Sequence, residues 1–400
     1  MTQLDHPLTE APDLDIDPYS VPVLMNPYPF QHTLRELAPV VRLTAHGVYA
    51  TGRHAEGLEI LSDPGRFTST GGVGIQDIRK PGNFRIPNRL NEVDPPQHTA
   101  LRGVLSRLLS PIKIRGWRQG FETVAEDLIE ELRQADTIDG VRDIAEAFVL
   151  RAFSGAVGIA LPRDNTMAIS NMRFNQVGPD NETLRESMKR AEPYLDWFQG
   201  LTRRESVAPG SIGELLYACE DRGEIEPGVA ANMLLTFVGG GTDSTITSLS
   251  HTLHLLARNP DQWARLRADS GLARVAVEEA IRLEAPFQMI YRTTTRETHV
   301  SGIRLPKDAK IGVFLGAANR DPRKFDAPDR YDLSRDTAGI HVSFGHGTHM
   351  CLGQMLARHE ADVILTALSR AFETMTLAGP PVYQPVNQMR QLAALPLRLR

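Results

Sequence analysis

The sequence predicts a mainly α-helical protein with a smaller β region, organised as a single domain across residues 1–400. Three observations lead there. Apolar residues recur at three- and four-residue spacing through Trp117–Arg133, Asp143–Val157, Ala231–Ala257 and Gln354–Ala371, the pattern of helices that bury a face. Alternating runs are short: Val40–Leu43 and Gly47–Ala50 read as a hairpin, and Phe287–Thr293 as a further strand. No internal repeat or linker divides the chain, and 41% hydrophobic with 23% charged residues is the balance of an ordinary globular domain.

The totals also exclude function classes. A net charge of −5 gives no general attraction to nucleic acid or membrane, so any basic docking site has to be local. Residues 1–22 are acidic and Pro-rich and are expected to form an extended N-terminal segment. They lack the basic and apolar regions of a secretion signal, and no run in the chain reaches the roughly 18 apolar residues of a spanning helix. The two cysteines, Cys219 and Cys351, are not expected to pair. A cytoplasmic protein without nucleic-acid or membrane partners is expected.

Between the hairpin and the first long helix, Phe67–Val93 is rich in Gly, Pro and Asn and holds no helical period; a loop of this length in a compact domain is usually functional. Asp94, Pro95 and Pro96 signal a helix start, after which His98 and Arg102 fall one turn apart on one face, two donors suited to a carboxylate. The helices at 117–133 and 143–157 read as core. Met167–Phe198 is helical at both ends and broken at Gly178–Asn181. Within Ala231–Ala257 the helical pattern is interrupted at Gly239, Gly240 and Gly241, each costing roughly 1 kcal/mol relative to Ala inside a helix. Something is therefore expected to occupy the space beside them. Asp243 and Ser244, next to that groove, can hold water and relay protons. Glu279 and Arg282 are three apart on one helix face.

The most pointed stretch is Phe344–Gly353. Its glycines permit tight turns and close approach by a flat object, and Cys351 precedes a helix whose unpaired N–H groups and positive end favour a thiolate. Such a cysteine suits a soft metal centre, haem iron among them, and no second Cys or His at zinc spacing accompanies it.

Phe344, Gly345, Gly347, His349, Cys351 and Gly353 meet every fixed position of Phe-Gly-x-Gly-x-His/Arg-x-Cys-x-Gly, and the run resembles the haem-ligand loop of the cytochrome P450 enzymes. The resemblance implies haem b (iron protoporphyrin IX) between the long central helix and the cysteine-loop helix, with Cys351 as axial thiolate and metal ligand. It further implies Phe344 and Gly240 beside the cofactor, His98, Arg102, Arg292 and His349 as propionate partners, and Asp243 and Ser244 as proton-delivery residues. Ser244 stands where Thr is usual. Glu279 and Arg282 resemble the Glu-x-x-Arg motif that locks an arginine of the following meander, here Arg330, in a structural role. The loop over the pocket would offer Val73, Ile75, Gln76 and Ile78; Phe174, Val177, Leu235, Gly239, Phe287 and Met289 complete the expected pocket.

The activity so implied is insertion of one oxygen atom of dioxygen into a small substituted aromatic, by hydroxylation or O-demethylation. Electrons would come ultimately from NAD(P)H through a ferredoxin reductase and a two-iron ferredoxin docked near Arg102, Arg107, Lys113, Arg115 and Arg358. A hydrogen-peroxide-dependent peroxygenase, a non-catalytic haem sensor and a helical protein that binds no haem are the alternatives. Leu14–Pro18, Arg292–Glu297, Ala318–Arg323 and Gln354–Arg358 read like the bacterial class that oxidises 4-methoxybenzoate. That class holds the carboxylate with an Arg and a Ser, aligned here with Leu235 and Gln76, so a neutral or phenolic aromatic is expected instead.

Overall fold

A computed structural model describes residues 9–83, 85 and 87–400. Its helices are α1 (Val21–Met25), α2 (Tyr28–Leu37), α3 (His54–Ser62), α4 (Gln97–Leu108), α5 (Pro111–Gly116), α6 (Arg118–Leu132), α7 (Ala147–Val157), α8 (Arg163–Asn175), α9 (Glu182–Ala191), α10 (Leu195–Gly200), α11 (Ile212–Asp221), α12 (Val229–Arg258), α13 (Pro260–Ala268), α14 (Ala273–Glu284), α15 (Leu315–Ala318) and α16 (Gln354–Ala371). The strands are β1 (Asp13–Leu14), β2 (Val41–Leu43), β3 (Val48–Thr51), β4 (Phe67–Thr68), β5 (Ile138–Asp139), β6 (Ile290–Thr294), β7 (Thr298–Val300), β8 (Ile303–Leu305), β9 (Lys310–Val313), β10 (Met375–Leu377), β11 (Val382–Pro385), β12 (Arg390–Ala394) and β13 (Pro396–Leu399).

The predicted mainly α architecture with a smaller β region is what forms. Helix α6 buries Phe121, Ala125, Leu128, Ile129 and Leu132, a spacing of three and four that keeps one stripe against α7 and α16. α12 is buried on nearly every side and forms the axis of the helical core, contacting α7, α8, α11, α14 and α16. The predicted hairpin is β2–β3, antiparallel, with Val41 opposite Ala50. It joins a six-stranded sheet of order β1-β2-β3-β9-β6-β4, in which β3 and β9 run parallel. This sheet matters for the site because β6 carries Arg292.

The N-terminal segment is packed on the sheet: Leu14 and Tyr19 are buried and β1 pairs with β2, while residues 1–8 lie outside the described residues. The helix expected after Asp94 starts at Gln97, and Asp94 accepts from the Ser69 N–H and the Thr68 hydroxyl. Two expectations are corrected. Gly140–Glu146, within the expected helix at 143–157, is a π-helical turn that leads into α7. α12 runs unbroken through Gly239–Gly241, so the glycines do not interrupt it.

Candidate active site

The cysteine loop is shaped by two left-handed glycines, Gly345 at φ +71° and Gly347 at φ +68°. A Cβ on Gly347 would sit 2.7 Å from the Leu61 carbonyl oxygen of α3, so the two backbones touch there without a side chain between them. The Cys351 N–H donates to the Phe344 carbonyl at 2.7 Å and closes the loop, and Gly353 leads directly into α16. Both cysteines are free, with Cys219 in the core. Burial pushes the Cys351 thiol up, against the pull of the Gly353 and Gln354 N–H groups and the Arg102 guanidinium. The N–H groups at the start of α16 favour the thiolate, as the sequence suggests, and a coordinated metal cation would favour it further.

Cys351 faces a cavity of about 580 Å³ bounded on the opposite side by α12. The three glycines of α12 serve three different neighbours. A Cβ on Gly241 would lie 2.4 Å from Phe153 Cζ, and one on Gly239 would lie 3.0 Å from Arg173 Nε. A Cβ on Gly240 would meet no protein atom within 4 Å, because that residue opens onto the cavity. The space inferred from the glycine run is thus present at Gly240.

Between α12 and the loop lies an unbalanced set of donors. Arg102 donates to the Met350 carbonyl at 2.6 Å, and buried Arg292 donates to the Tyr291 carbonyl at 2.9 Å. Burial lowers Arg292 to about 10. The His349 ring meets Asp94 through Nε2 at 3.3 Å and packs against His98 at a tilt, with centroids 4.3 Å apart. Both nitrogens of His98 and Nδ1 of His349 are buried without a partner. Burial, then the neighbouring His349 and Arg102, lower His98 to about 4. Arg102, Arg292 and His349 line the cavity, whereas His98 sits behind His349. Buried donors in this number, facing one carboxylate that Thr68 and Ser69 already use, fit a bound anionic group. The propionates of haem satisfy that requirement, and the space at Gly240 opposite Cys351 leaves room for its ring. The residues present fit the cofactor.

Ser244 lines the cavity and donates to the Gly240 carbonyl at 2.6 Å. Asp243 does not line it. Its Oδ1 accepts from Gln391 Nε2 of β12 at 2.5 Å, and its Oδ2 is buried and unpartnered. Burial, then the nearby Glu146 charge, raise this carboxyl to about 7, so it exchanges a proton near neutrality. Asp243 and Ser244 are neighbours in sequence that face different surroundings.

Val73, Phe174, Val177, Leu235, Gly239 and Phe287 line the cavity as expected. Ile75, Gln76, Ile78 and Met289 do not. The Ile75 N–H donates to the Val177 carbonyl at 3.0 Å, which turns that side chain into the sheet core and carries Gln76 and Ile78 past the cavity. At Met289 the expected alternation slips: the Gln288 N–H pairs with the Gln388 carbonyl before β6 begins, so Ile290 and Arg292 face the cavity while Met289 and Tyr291 face the sheet core. The third member of the buried ion cluster is also different. Arg282 binds Glu279 twice, at 2.7 and 2.8 Å, and the guanidinium that joins Glu279 is that of Arg335 at 3.1 Å. Arg330 supplies only its carbonyl to Arg282, and its side chain is 67% exposed.

Sequence reasoning missed Arg85, Glu92 and Arg173, which all reach the cavity. The one available signal was Gly239, a helix glycine whose missing side chain makes room for Arg173.

The cytochrome P450 family profile matches residues 215–398. Over 97% of this chain, and 95% of the relative, the sequence is 42% identical to cytochrome P450 CYP199A2 of Rhodopseudomonas palustris. It is 28% identical to 6-deoxyerythronolide B hydroxylase of Saccharopolyspora erythraea, covering 98% of this chain and all of that one. The solved structure of cytochrome P450 CYP109Q5 from Chondromyces apiculatus superposes with a TM-score of 0.80 at 28% identity, over 97% of this chain and 98% of that one. No described helix is long and apolar enough to cross a membrane. With the cysteine loop, the donor cluster and the glycine-opened helix all in place around one cavity, the chain belongs to the cytochrome P450 family and is an oxygen-incorporating oxidoreductase.

Proposed function

We propose that this enzyme oxidises a small substituted aromatic, by O-demethylation or hydroxylation, with electrons delivered by a ferredoxin. The aromatic walls carry the reading: haem and substrate would share the cavity of about 580 Å³, and the part walled by Phe153, Phe174, Phe198 and Phe287 suits a single-ring substrate. The four segments that resemble the 4-methoxybenzoate-oxidising class support it.

Haem held by the Cys351 thiolate would supply dioxygen activation and insertion of one oxygen atom into a C–H bond. Arg102, Arg292 and His349 would hold its propionates, with His98 packed behind His349 instead of reaching them as the resemblance implied. Around it the chain excludes water with the phenylalanine walls and brings Ser244 to the cavity surface. Asp243 would take up a proton at Oδ2, with Gln391 fixing its other oxygen, and the neighbouring Ser244 presents its hydroxyl to the cavity. For an aryl methyl ether the balance consumes dioxygen, two electrons and two protons, and yields the phenol, formaldehyde and water.

The docking surface is narrower than the sequence suggested. Arg358 is engaged by Glu278, and Arg102 faces inward. Arg107 is likewise engaged by Glu224, so Lys113 and Arg115 on α5, which packs against α16, remain for an acidic ferredoxin together with the exposed Ile112.

Reconstitution with a two-iron ferredoxin, its reductase and NAD(P)H in the presence of 4-methoxyaryl compounds tests the proposal. Formaldehyde release that depends on both proteins is expected. Equal turnover with hydrogen peroxide alone, unchanged by Asp243→Asn, would establish a peroxygenase instead.

A further inference from the structure

Arg173 is the feature of the cavity that the reaction itself does not use. It lies on α8, reaches across α12 at Gly239, and stands over the Phe198 ring with its guanidinium carbon 5.4 Å from the centroid. It donates no hydrogen bond to any described residue, and burial holds it below the ordinary arginine range. The carboxylate whose charge reaches it cannot serve it. Glu92 accepts from Arg85 at 2.7 Å, from the Val73 N–H at 3.1 Å and from the Asn88 N–H at 2.8 Å, so its oxygens are engaged. Arg85, Glu92 and Arg173 together leave one positive charge at this end of a largely apolar cavity. A buried guanidinium without a partner is costly unless an anion joins it, and its planar fork matches a carboxylate.

We propose that Arg173 is a specificity-determining residue that binds the carboxylate of a monoanionic substrate at the Gly239 end of the cavity. One excess charge matches a carboxylate rather than a phosphate monoester. The subsite lies one helical turn along α12 from Leu235, and its cation comes from α8 rather than from that position or from Gln76, the two positions that led to the expectation of a neutral or phenolic ligand. Gly239 and Ser244 are five residues apart on α12, about 7.5 Å along its axis. That is the span of a para-disubstituted ring, so an anchored benzoate presents its para substituent toward Ser244. The inference rests on the reading of this cavity as the substrate pocket.

The test is a Soret spin-state titration of the ferric holoenzyme with 4-methoxybenzoate, its neutral isostere 4-methoxybenzamide, and a saturated fatty acid. Wild type is expected to bind the benzoate at least roughly tenfold tighter than the amide. Arg173→Gln is expected to weaken the benzoate by roughly thirtyfold or more and the amide by less than about threefold. Equal affinities in wild type, or a benzoate preference that survives Arg173→Gln, would overturn the proposal. Should that variant not load haem, Gly239→Ala, which crowds Arg173 Nε, is expected to shrink the benzoate-to-amide ratio, and an unchanged ratio would count against the subsite. Arg173-dependent binding of the fatty acid without any methoxy-aromatic would keep the anion subsite and sink the aromatic reading. Binding of neutral methoxy-aromatics alone would do the reverse.

Discussion

Replacing Asp243 with Asn removes a charge that this fold buries at the centre of its longest helix, and the consequence is a stability difference that depends on pH in one direction only. The carboxyl is held at about 7 instead of its ordinary 3.8. Below pH 3.8 it is protonated in both folded and unfolded chains and contributes nothing. Between 3.8 and about 7 the unfolded chain ionises while the folded one keeps its proton, so wild-type stability falls as pH rises through that window and levels off above it. At about 1.4 kcal/mol per tenfold in proton affinity, the ceiling is roughly 4 kcal/mol, and relaxation around the buried group makes about 2 kcal/mol the expected size. Asparagine keeps the oxygen that accepts from Gln391 and never ionises. Guanidinium unfolding of the holoenzyme, followed by Soret absorbance and far-UV circular dichroism at pH 5 and pH 8, should therefore find Asp243→Asn more stable than wild type, with the gap wider at pH 8. Ferredoxin-driven turnover of the same variant should fall by roughly a hundredfold. A variant less stable than wild type at pH 8, or a gap that ignores pH, would refute the reasoning.

Three further outcomes follow from the packing. Arg335→Leu should cost about 1–2 kcal/mol in chemical denaturation because Glu279 keeps only Arg282, whereas Arg330→Leu should stay within about 0.5 kcal/mol; the opposite ranking would restore Arg330 to the buried cluster. Gly241→Ala should destabilise by about 1–3 kcal/mol, since its Cβ would lie 2.4 Å from Phe153 Cζ, and the double variant with Phe153→Leu should recover part of that loss. Cys351→Ser should abolish the long-wavelength Soret band of the reduced carbon monoxide complex while leaving the helical circular dichroism signal unchanged.

Much of this arrangement was legible in sequence, for identifiable reasons. Helices such as α6 bury a strict stripe, so periodicity alone locates them. The cysteine loop is legible because its glycines and cysteine do a job that few other residues can do. Other features depend on how elements meet. Arg330 and Arg335 are five residues apart in one irregular stretch, and which of them turns toward Glu279 is decided by the path of the backbone. Met289 was assigned to the cavity by counting alternation from Phe287, but a backbone pairing at Gln288 shifts the phase before β6 begins. Arg173 sits in α8 like any surface arginine, and it is enclosed only because that helix lies across α12. A buried charge of this kind leaves almost no trace in composition or spacing, while the glycine that admits it does.

The contact between Gly347 and α3 has a mechanical meaning. Because the two backbones meet directly, the sulfur of Cys351 is positioned with reference to the N-terminal layer, in the way a tool is set against a gauge block. Repacking α3 around Leu58 or Leu61 would move that reference and retune the ligand field from outside the cavity. Substitutions on the α8 and α12 walls of the cavity would change what binds and leave the setting of the sulfur alone. The enzyme thus offers two separate handles for engineering, one for the electronics of its metal ligand and one for its choice of substrate.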